Sequence, residues 1–543
     1  MAYFGVPAKS APEKSDHVSP RSGFNSRPYG TAMAYGLFIF LIFVYSLNGD
    51  FLPGNDAKAN LYLPITLLNE RNLSYAPQEF PFMFQWKENT PSPHRAGSRP
   101  LSDPIPSGSV EIPKPHYYLT PSVREGLYVN TFGIGAGMTA LPVFAILKLS
   151  GHDPANNPEY LWYGGKVVAT VSVAASAVFV FLSTLYFCRK EAAILIAVAY
   201  GLGTCVWSIS SQTLWQHGPN EFFLSLGAWL LIRSRHHNPL SALWCGTALG
   251  CAVLCRPTSA VVVLAVGIYF LAVDRQALLK FVIGGLPLAV ALLIYNDHYL
   301  GAPFAFGQTA RGLDVAVSKT GTAALWQTPL WQGAAGLLFS PSRGLFVYSP
   351  FLLLILPSFY LVWKIPKFRV LIPLAAGAIV MITIAFKWFD WWGGWCYGYR
   401  PLVDTMPLLA LLLIPVVEWL LNQPSRRGVV IALLGWSIMV QWIGAFSYDV
   451  VGWNARTSPN QYDALLANKT VMRFHAINEG SAVEAANKLG AVRLSHVRQD
   501  IDQPSFRNRL WSVTDNPIFY YLSNYNTSRK SKKAMIDREL SSR

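Results

Sequence analysis

The sequence predicts an all-α polytopic membrane protein of about eleven transmembrane helices, with a re-entrant or interfacial helix in the first external loop. Three observations predict it. Of 543 residues, 52% are hydrophobic and only 13% are charged, against roughly a quarter charged in an ordinary soluble domain. The apolar residues gather in blocks of about 18–22, a length that crosses a bilayer. Lys and Arg fall in short runs between those blocks, where they set orientation.

The blocks lie near 31–48, 128–150, 163–187, 191–209, 219–233, 240–255, 257–273, 278–296, 345–363, 368–386, 401–421 and 428–447. The basic runs are "FCRKE" (187–191), "RSRHH" (233–237), "DRQALLK" (274–280), "WKIPKFR" (363–369) and "NQPSRRG" (422–428). The positive-inside rule puts all of them in the cytoplasm, with the polar tail 1–30 that carries Lys9, Lys14, Arg21 and Arg27. That tail has no apolar core and no cleavage site, so the first block reads as an uncleaved signal anchor. One crossing separates the outside after block one from the inside at 187–191, yet two blocks intervene. Block 128–150, with its glycines, Pro142, Asn130 and Lys148, is the one expected not to span. The resulting division is a cytoplasmic tail (1–30), a transmembrane domain (31–447) whose first external loop is 49–162, and a small external region (448–543). The N-terminus is then cytoplasmic and the C-terminus periplasmic or extracellular.

The net charge of +15 invites a nucleic-acid reading. No nucleic-acid-binding motif accompanies it, and the basic residues sit in loops and in "SRKSKKAMIDR" (528–538), so membrane lipids are the expected partner. The six cysteines show no CxxC spacing, which points to neither zinc nor a disulfide framework. No acids cluster as a metal site would need, so no cofactor is expected.

The segments with unusual chemistry share the external side. In "NGDFLPGND" (48–56), Asp50 and Asp56 lie at the membrane edge, ahead of a stretch whose pattern suits an amphipathic helix on the surface. Asp56 suits a general base there, raised in basicity by partial desolvation. Asn55 or Asp56 suits an N-cap equally well. In "LFSPSRGLFVYSP" (338–350), Arg343 is either a snorkelling arginine or a clamp for phosphate. In "FDWWGGWCYGYRPLVDTMP" (389–407), Trp391, Trp392 and Tyr397 fit an interface belt or the lining of a sugar or lipid site. Arg400 and Asp404 form either a local i,i+4 pair or functional groups inside a span. In "SQTLWQHGPNE" (211–221), Gln216 and His217 precede a helix start and are capping groups or ligands for phosphate and sugar. Arg256, in the short turn "CRPT", meets lipid headgroups or a lipid phosphate.

These pieces, in this order, resemble the GT-C superfamily of polyprenyl-phosphate-sugar-dependent membrane glycosyltransferases, over most of residues 31–450, and a bacterial subgroup of it. The resemblance rests on "NGDFLPGND" after the first helix, a non-spanning helix in the loop that follows, "RKEAAILIAVAYGLGT", "SQTLWQHGP", "SPSRGLFVYSP" and "WWGGWCYGYRPLVDTMP". It implies an inverting transfer at the outer face of the bacterial inner membrane, from a polyprenyl-phosphate-linked sugar to a glycan, lipid or protein acceptor. The family's base maps to Asp56, or to Asp50. Arg343, Arg400, Arg256 and His217 would hold the donor phosphate, and Trp391, Trp392, Tyr397, Gln216 and Asp404 would line the sugar or lipid. The double-acid pattern of protein O-mannosyltransferases and the WWDYG of oligosaccharyltransferases are both missing, which speaks against those two acceptors. Two rivals share the membrane architecture: a flippase or transporter for lipid-linked sugars, and an O-antigen-ligase-like enzyme. The first would show deep charges in several helices and internal repeats. The early acidic loop speaks against the second.

Overall fold

The computed structural model describes residues 28–85, 114–116, 118–310, 325–458 and 497–541. Residues 1–27 of the expected cytoplasmic tail therefore lie outside the described residues. Nine helices open the fold among those described: α1 (Pro28–Ser46), α2 (Asn55–Glu70), α3 (Gly135–Leu149), α4 (Pro158–Thr184), α5 (Lys190–Gly203), α6 (His217–His236), α7 (Ser241–Cys255), α8 (Ala260–Val273) and α9 (Arg275–Leu300). Shorter helical pieces follow, with longer helices at Ile372–Lys387, Pro424–Ser447 and Tyr525–Ser541.

The expected count of eleven spans is overturned. Among the described residues, four helices are long and apolar enough to cross a membrane: Pro158–Thr184, Arg275–Leu300, Pro366–Lys387 and Pro424–Ser447. A fifth is reached if Arg400–Leu411 and Ile414–Leu421, bent by 63° at their junction, count as one. The physical reason is that an apolar run measures composition and not helix length. Block 345–363 breaks at Pro350 and Pro357 into Leu345–Tyr348, Pro350–Ile355 and Ser358–Lys364, because proline removes a donor and clashes with the preceding turn. Block 191–209 gives a 14-residue helix and then a π-turn at Val206–Ser210. α6 is 20 residues long, but its first turns carry His217, Asn220 and Glu221, all buried. What remains is a multi-pass membrane protein whose helices are mostly short.

The fold is all-α apart from short ribbons. Among the described residues there are three two-stranded antiparallel ribbons: β1 (Phe84–Gln85) with β2 (Lys114–Pro115), β3 (Leu119–Pro121) with β4 (Tyr128–Asn130), and β5 (Ala455–Ser458) with β6 (Val497–Asp500). The middle ribbon pairs Leu119 with Asn130 and Thr120 with Val129.

Local signals explain the long elements. Asn157 caps α4 by accepting from the Glu159 N–H, with Pro158 in the first helical turn. Asp274 caps α9 by accepting from the Ala277 N–H, and α9 ends at Gly301 with φ of 79°. α4 packs on α1, α5 and α6; α6 packs on α7, and α7 on α9. The α7–α9 crossing is set by glycine. A Cβ at Gly246 would lie 1.9 Å from the Phe281 carbonyl oxygen, and one at Gly284 would lie 1.9 Å from that of Leu243. Small residues that let backbones meet are the usual basis of helix packing in lipid. The opposite side of α9 leaves Leu279, Val282, Ile283, Leu286, Val290 and Ile294 exposed, as a lipid-facing surface does.

The two ends of the helical body differ in chemistry. At one end, Arg189 pairs with Glu418 at 3.1 Å and Arg235 with Asp274 at 2.9 Å, and Phe187 meets His236 edge-on and Phe368 at a tilt. This gathers the basic runs 187–191, 233–237, 274–280, 363–369 and 422–428 together. The other end holds α2, the α6 N-terminus, the α7 C-terminus and the loop 388–399.

α2 is not the surface helix that its pattern suggested. It is buried at every residue from Asp56 to Thr66 except Lys58. Asn60 accepts from Asn130 Nδ2 at 2.7 Å and donates to the Leu214 carbonyl at 3.0 Å, while Tyr75 donates to the Ala59 carbonyl. Lys58 pairs with Glu539 at 3.1 Å, which ties α2 to the helix Tyr525–Ser541. Within that helix Lys532 is buried, donates to the Ala445 carbonyl, and has its amine pushed down to about 8 by burial, with Asp50 partly opposing.

Gly246→Val and Gly284→Val are each expected to lower stability by on the order of 3 kcal/mol through forced separation of α7 and α9. Thermal unfolding in detergent checks this; Gly428→Ala, at a position with open space around it, is the control.

Candidate active site

A cavity of about 480 Å³ opens at the end of the bundle away from the basic runs. Its polar end holds Asp56, Gln216, His217, Arg256, Arg400 and Asp404, brought together from α2, α6, α7 and the chain before Met406. Asp390 also lines it. Its other wall is apolar: Val261, Trp326, Met381, Ile384 and Trp388.

Asp56 does not cap α2. Gly54 holds that position, with Trp215 so close that a Cβ would lie 2.8 Å from its Nε1. Asp56 is in the first helical turn, and its Oδ2 accepts from Arg400 Nη1 at 3.0 Å. Arg400 is held on two further sides. Its Nη2 donates to the Gly393 carbonyl at 2.8 Å, and its guanidinium lies 5.2 Å from the Trp215 ring. Arg400 does not pair with Asp404 one helical turn on. Asp404 is buried and accepts from Arg256 Nη1 at 2.6 Å and from Asn220 Nδ2 at 2.9 Å, with His217 Nδ1 at 3.1 Å. Asn220 is fixed in turn by Ser259 Oγ at 2.8 Å. Two arginines therefore face one cavity, each anchored by its own carboxylate. An anchored guanidinium loses little freedom when it meets a phosphate and keeps its planar fork of donors. Gln216 Oε1 is buried with no hydrogen-bond partner among the described residues, a free acceptor at the cavity wall.

The loop between Lys387 and Arg400 explains its glycines. Gly393 and Gly394 have φ of 74° and 63°, the left-handed region that glycine tolerates. They let the chain turn so that the Asp390 carbonyl accepts from the Gly393 N–H at 3.0 Å and Asp390 Oδ1 from the Gly394 N–H at 3.2 Å. Asp390 is half-buried. Burial and the neighbouring Asp502 carboxylate push its carboxyl up to about 7, against the opposing pull of the Gly394 N–H, Arg400 and Arg507. Sequence reasoning missed this residue because the aromatics beside it dominate the local pattern. The signal was there: an Asp three and four residues before a glycine pair is a side-chain-closed turn.

Five of the sequence candidates lie elsewhere. Arg343 is fully buried and donates to the carbonyls of Trp392, Ser342 and Gly394 and to Asn454 Oδ1 at 2.9–3.3 Å. Its guanidinium also lies 5.3 Å from the Trp453 ring. All of this holds the 392–394 turn from beneath and leaves no donor facing the cavity. Trp392 Nε1 donates to Asp502 at 2.9 Å, Trp391 packs against Trp511, and the Tyr397 hydroxyl donates to the Val440 carbonyl at 2.8 Å. These three rings are buried and lie behind the cavity wall. Asp50 sits in the turn after α1, on the side of Tyr163 and Lys532, and does not line the cavity.

No family model matches the chain, and no curated protein matches it. Among solved structures, the chain is similar to ArnT from Cupriavidus metallidurans, solved bound to undecaprenyl phosphate. The identity is 11% and the TM-score 0.44, over 94% of this chain and 77% of that one. A likeness at that level carries no conclusion about activity, which has to come from the cavity.

Asp404→Ala would strand Arg256 and His217 without their anchor, an expected loss of ~3–5 kcal/mol as for any broken buried pair. Arg343→Ala should also destabilise, by taking a donor from four acceptors, of which the Ser342 and Trp392 carbonyls keep Tyr348 and Cys396, yet leave phosphate binding by the folded fraction unchanged. Thermal unfolding and binding of undecaprenyl phosphate, measured on the same preparations, separate the two effects.

Proposed function

We propose that this chain transfers a sugar from a polyprenyl-phosphate donor to an acceptor at the outer face of the bacterial inner membrane. One observation carries the reading: a single cavity with two anchored arginines and three carboxylates at one end and an apolar wall at the other. A donor of this class is built the same way, with an anionic head on a hydrocarbon chain. Arg256 and Arg400 meet the phosphate and stabilise the charge that develops as it leaves. Gln216 Oε1 accepts from a sugar hydroxyl. The apolar wall through Trp326, Met381 and Trp388 takes the first part of the lipid. A carboxylate of the cavity takes the acceptor proton. Asp56 holds Arg400 in place.

The outer face follows from charge rather than from a count of spans. The basic runs gather at the end of the bundle opposite the cavity, and the positive-inside rule gives that end to the cytoplasm. The same rule supports a cytoplasmic N-terminus. A donor that is already lipid-linked suits a side without nucleotide sugars.

The test uses purified full-length protein in detergent, a lipid extract and an envelope fraction from the host. Mass spectrometry should show one polyprenyl-phosphate sugar consumed and free polyprenyl phosphate formed. Asp56→Asn and Arg400→Ala should each slow this by about 100-fold or more, the usual cost of a lost transition-state contact. Micelles have no two sides, so a flippase consumes nothing here. Folded protein that consumes no sugar-lipid with acceptor present would overturn the reading.

A further inference from the structure

We propose that Asp390, and not Asp56, is the carboxylate that accepts the proton of the acceptor hydroxyl. The inference rests on the transferase reading above and deepens it. Two carboxylates flank Arg400 in the cavity, and they are differently engaged. Asp56 gives Oδ2 to Arg400 at 3.0 Å. If Asp56 took the proton it would surrender that ion pair just as Arg400 is needed against the departing phosphate. Asp390 gives only Oδ1 to a backbone N–H, and Oδ2 accepts no hydrogen bond from the described residues. The turn that carries it is clamped on both sides: Arg400 holds the Gly393 carbonyl, and Arg343 holds those of Trp392 and Gly394. Asp390 is thus a carboxylate with a free oxygen, on a rigid turn, one residue contact away from the cation that meets the phosphate.

The charged groups around it are Arg400, Arg507 and Asp502, with Asp56 behind Arg400. Their balance, with burial, leaves the Asp390 carboxyl near neutrality, and a base is most effective when its proton affinity matches the working pH.

The step balances as follows. The acceptor oxygen forms a bond to the anomeric carbon of the sugar. The bond from that carbon to the phosphate oxygen breaks, and its electron pair leaves with the polyprenyl phosphate. The acceptor proton passes to Asp390 Oδ2, and solvent takes it after product leaves.

The experiment is a set of single-turnover transfer rates from pH 5 to 9 for the wild type, Asp390→Asn and Asp390→Glu, with undecaprenyl phosphate binding measured for each. The free carboxylate is the active form. The wild-type rate should therefore fall about tenfold per unit below pH ~7, as for a base of that proton affinity. A sugar–phosphate–lipid diester stays a monoanion throughout this range and adds no such limb. Asp390→Asn should bind undecaprenyl phosphate normally, transfer about 10²–10⁴-fold more slowly and lose the limb. Azide, a nucleophile with no proton to lose, should restore its turnover by forming the glycosyl azide. Asp390→Glu keeps a carboxylate and should retain a limb at a shifted pH, which covers the case in which the amide variant folds poorly. Transfer by Asp390→Asn within about threefold of wild type, or an unmoved acid limb, would overturn the inference alone. A wild type that neither binds undecaprenyl phosphate nor consumes a sugar-lipid would overturn the transferase reading with it.

Discussion

The cavity depends on one guanidinium. Arg400 joins α2 to a turn far along the chain by bonding Asp56 and the Gly393 carbonyl at once. Trp215 lies against its face and also closes over Gly54, the cap of α2. Three segments that are distant in sequence thus share one cation. A side chain with five donors in a fixed plane can do this, where lysine would offer a single point of charge.

A second anchor repeats the scheme. Asp404 is buried and holds Arg256, Asn220 and His217, so α6, α7 and the chain before Met406 meet at one carboxylate. Charges this deep are costly unless every bond is met, and here the partners are supplied in advance. The result is a cluster that exists before any ligand arrives, as electrostatic stabilisation of a reacting phosphate requires.

Much of this was legible in the sequence, and the losses have physical causes. Composition and basic loops gave a membrane protein with a polarised bundle, because those quantities average over the chain. Asp56, Gln216, His217, Arg256, Arg400 and Asp404 stood out as polar residues at the ends of apolar runs, and all line the cavity. The number of spans did not follow, since prolines cut helices without shortening the apolar run, and buried polar groups such as Glu221 sit inside helices such as α6. Arg343 looked equal to Arg256 from sequence alone. What separates them is the direction of the carbonyls around each, which is a property of turns that no local pattern encodes. Asp390 was hidden by the tryptophans beside it, and the glycine pair that marks its turn becomes meaningful only when the left-handed backbone is seen.

The contact between Lys58 and Glu539 has a consequence for how the protein is made. The chain emerges from the ribosome in order, and early parts take shape before later ones exist. α2 is synthesised well before one of its supports, a helix made some 480 residues later. α2 packs on α3, α4 and β4, which are made soon after it, so the late helix adds a tie to an element that is already packed. The tie to Glu539 and the pairing of Asp56 with Arg400 are thus late additions that fix, rather than build, the helix that carries Asp56.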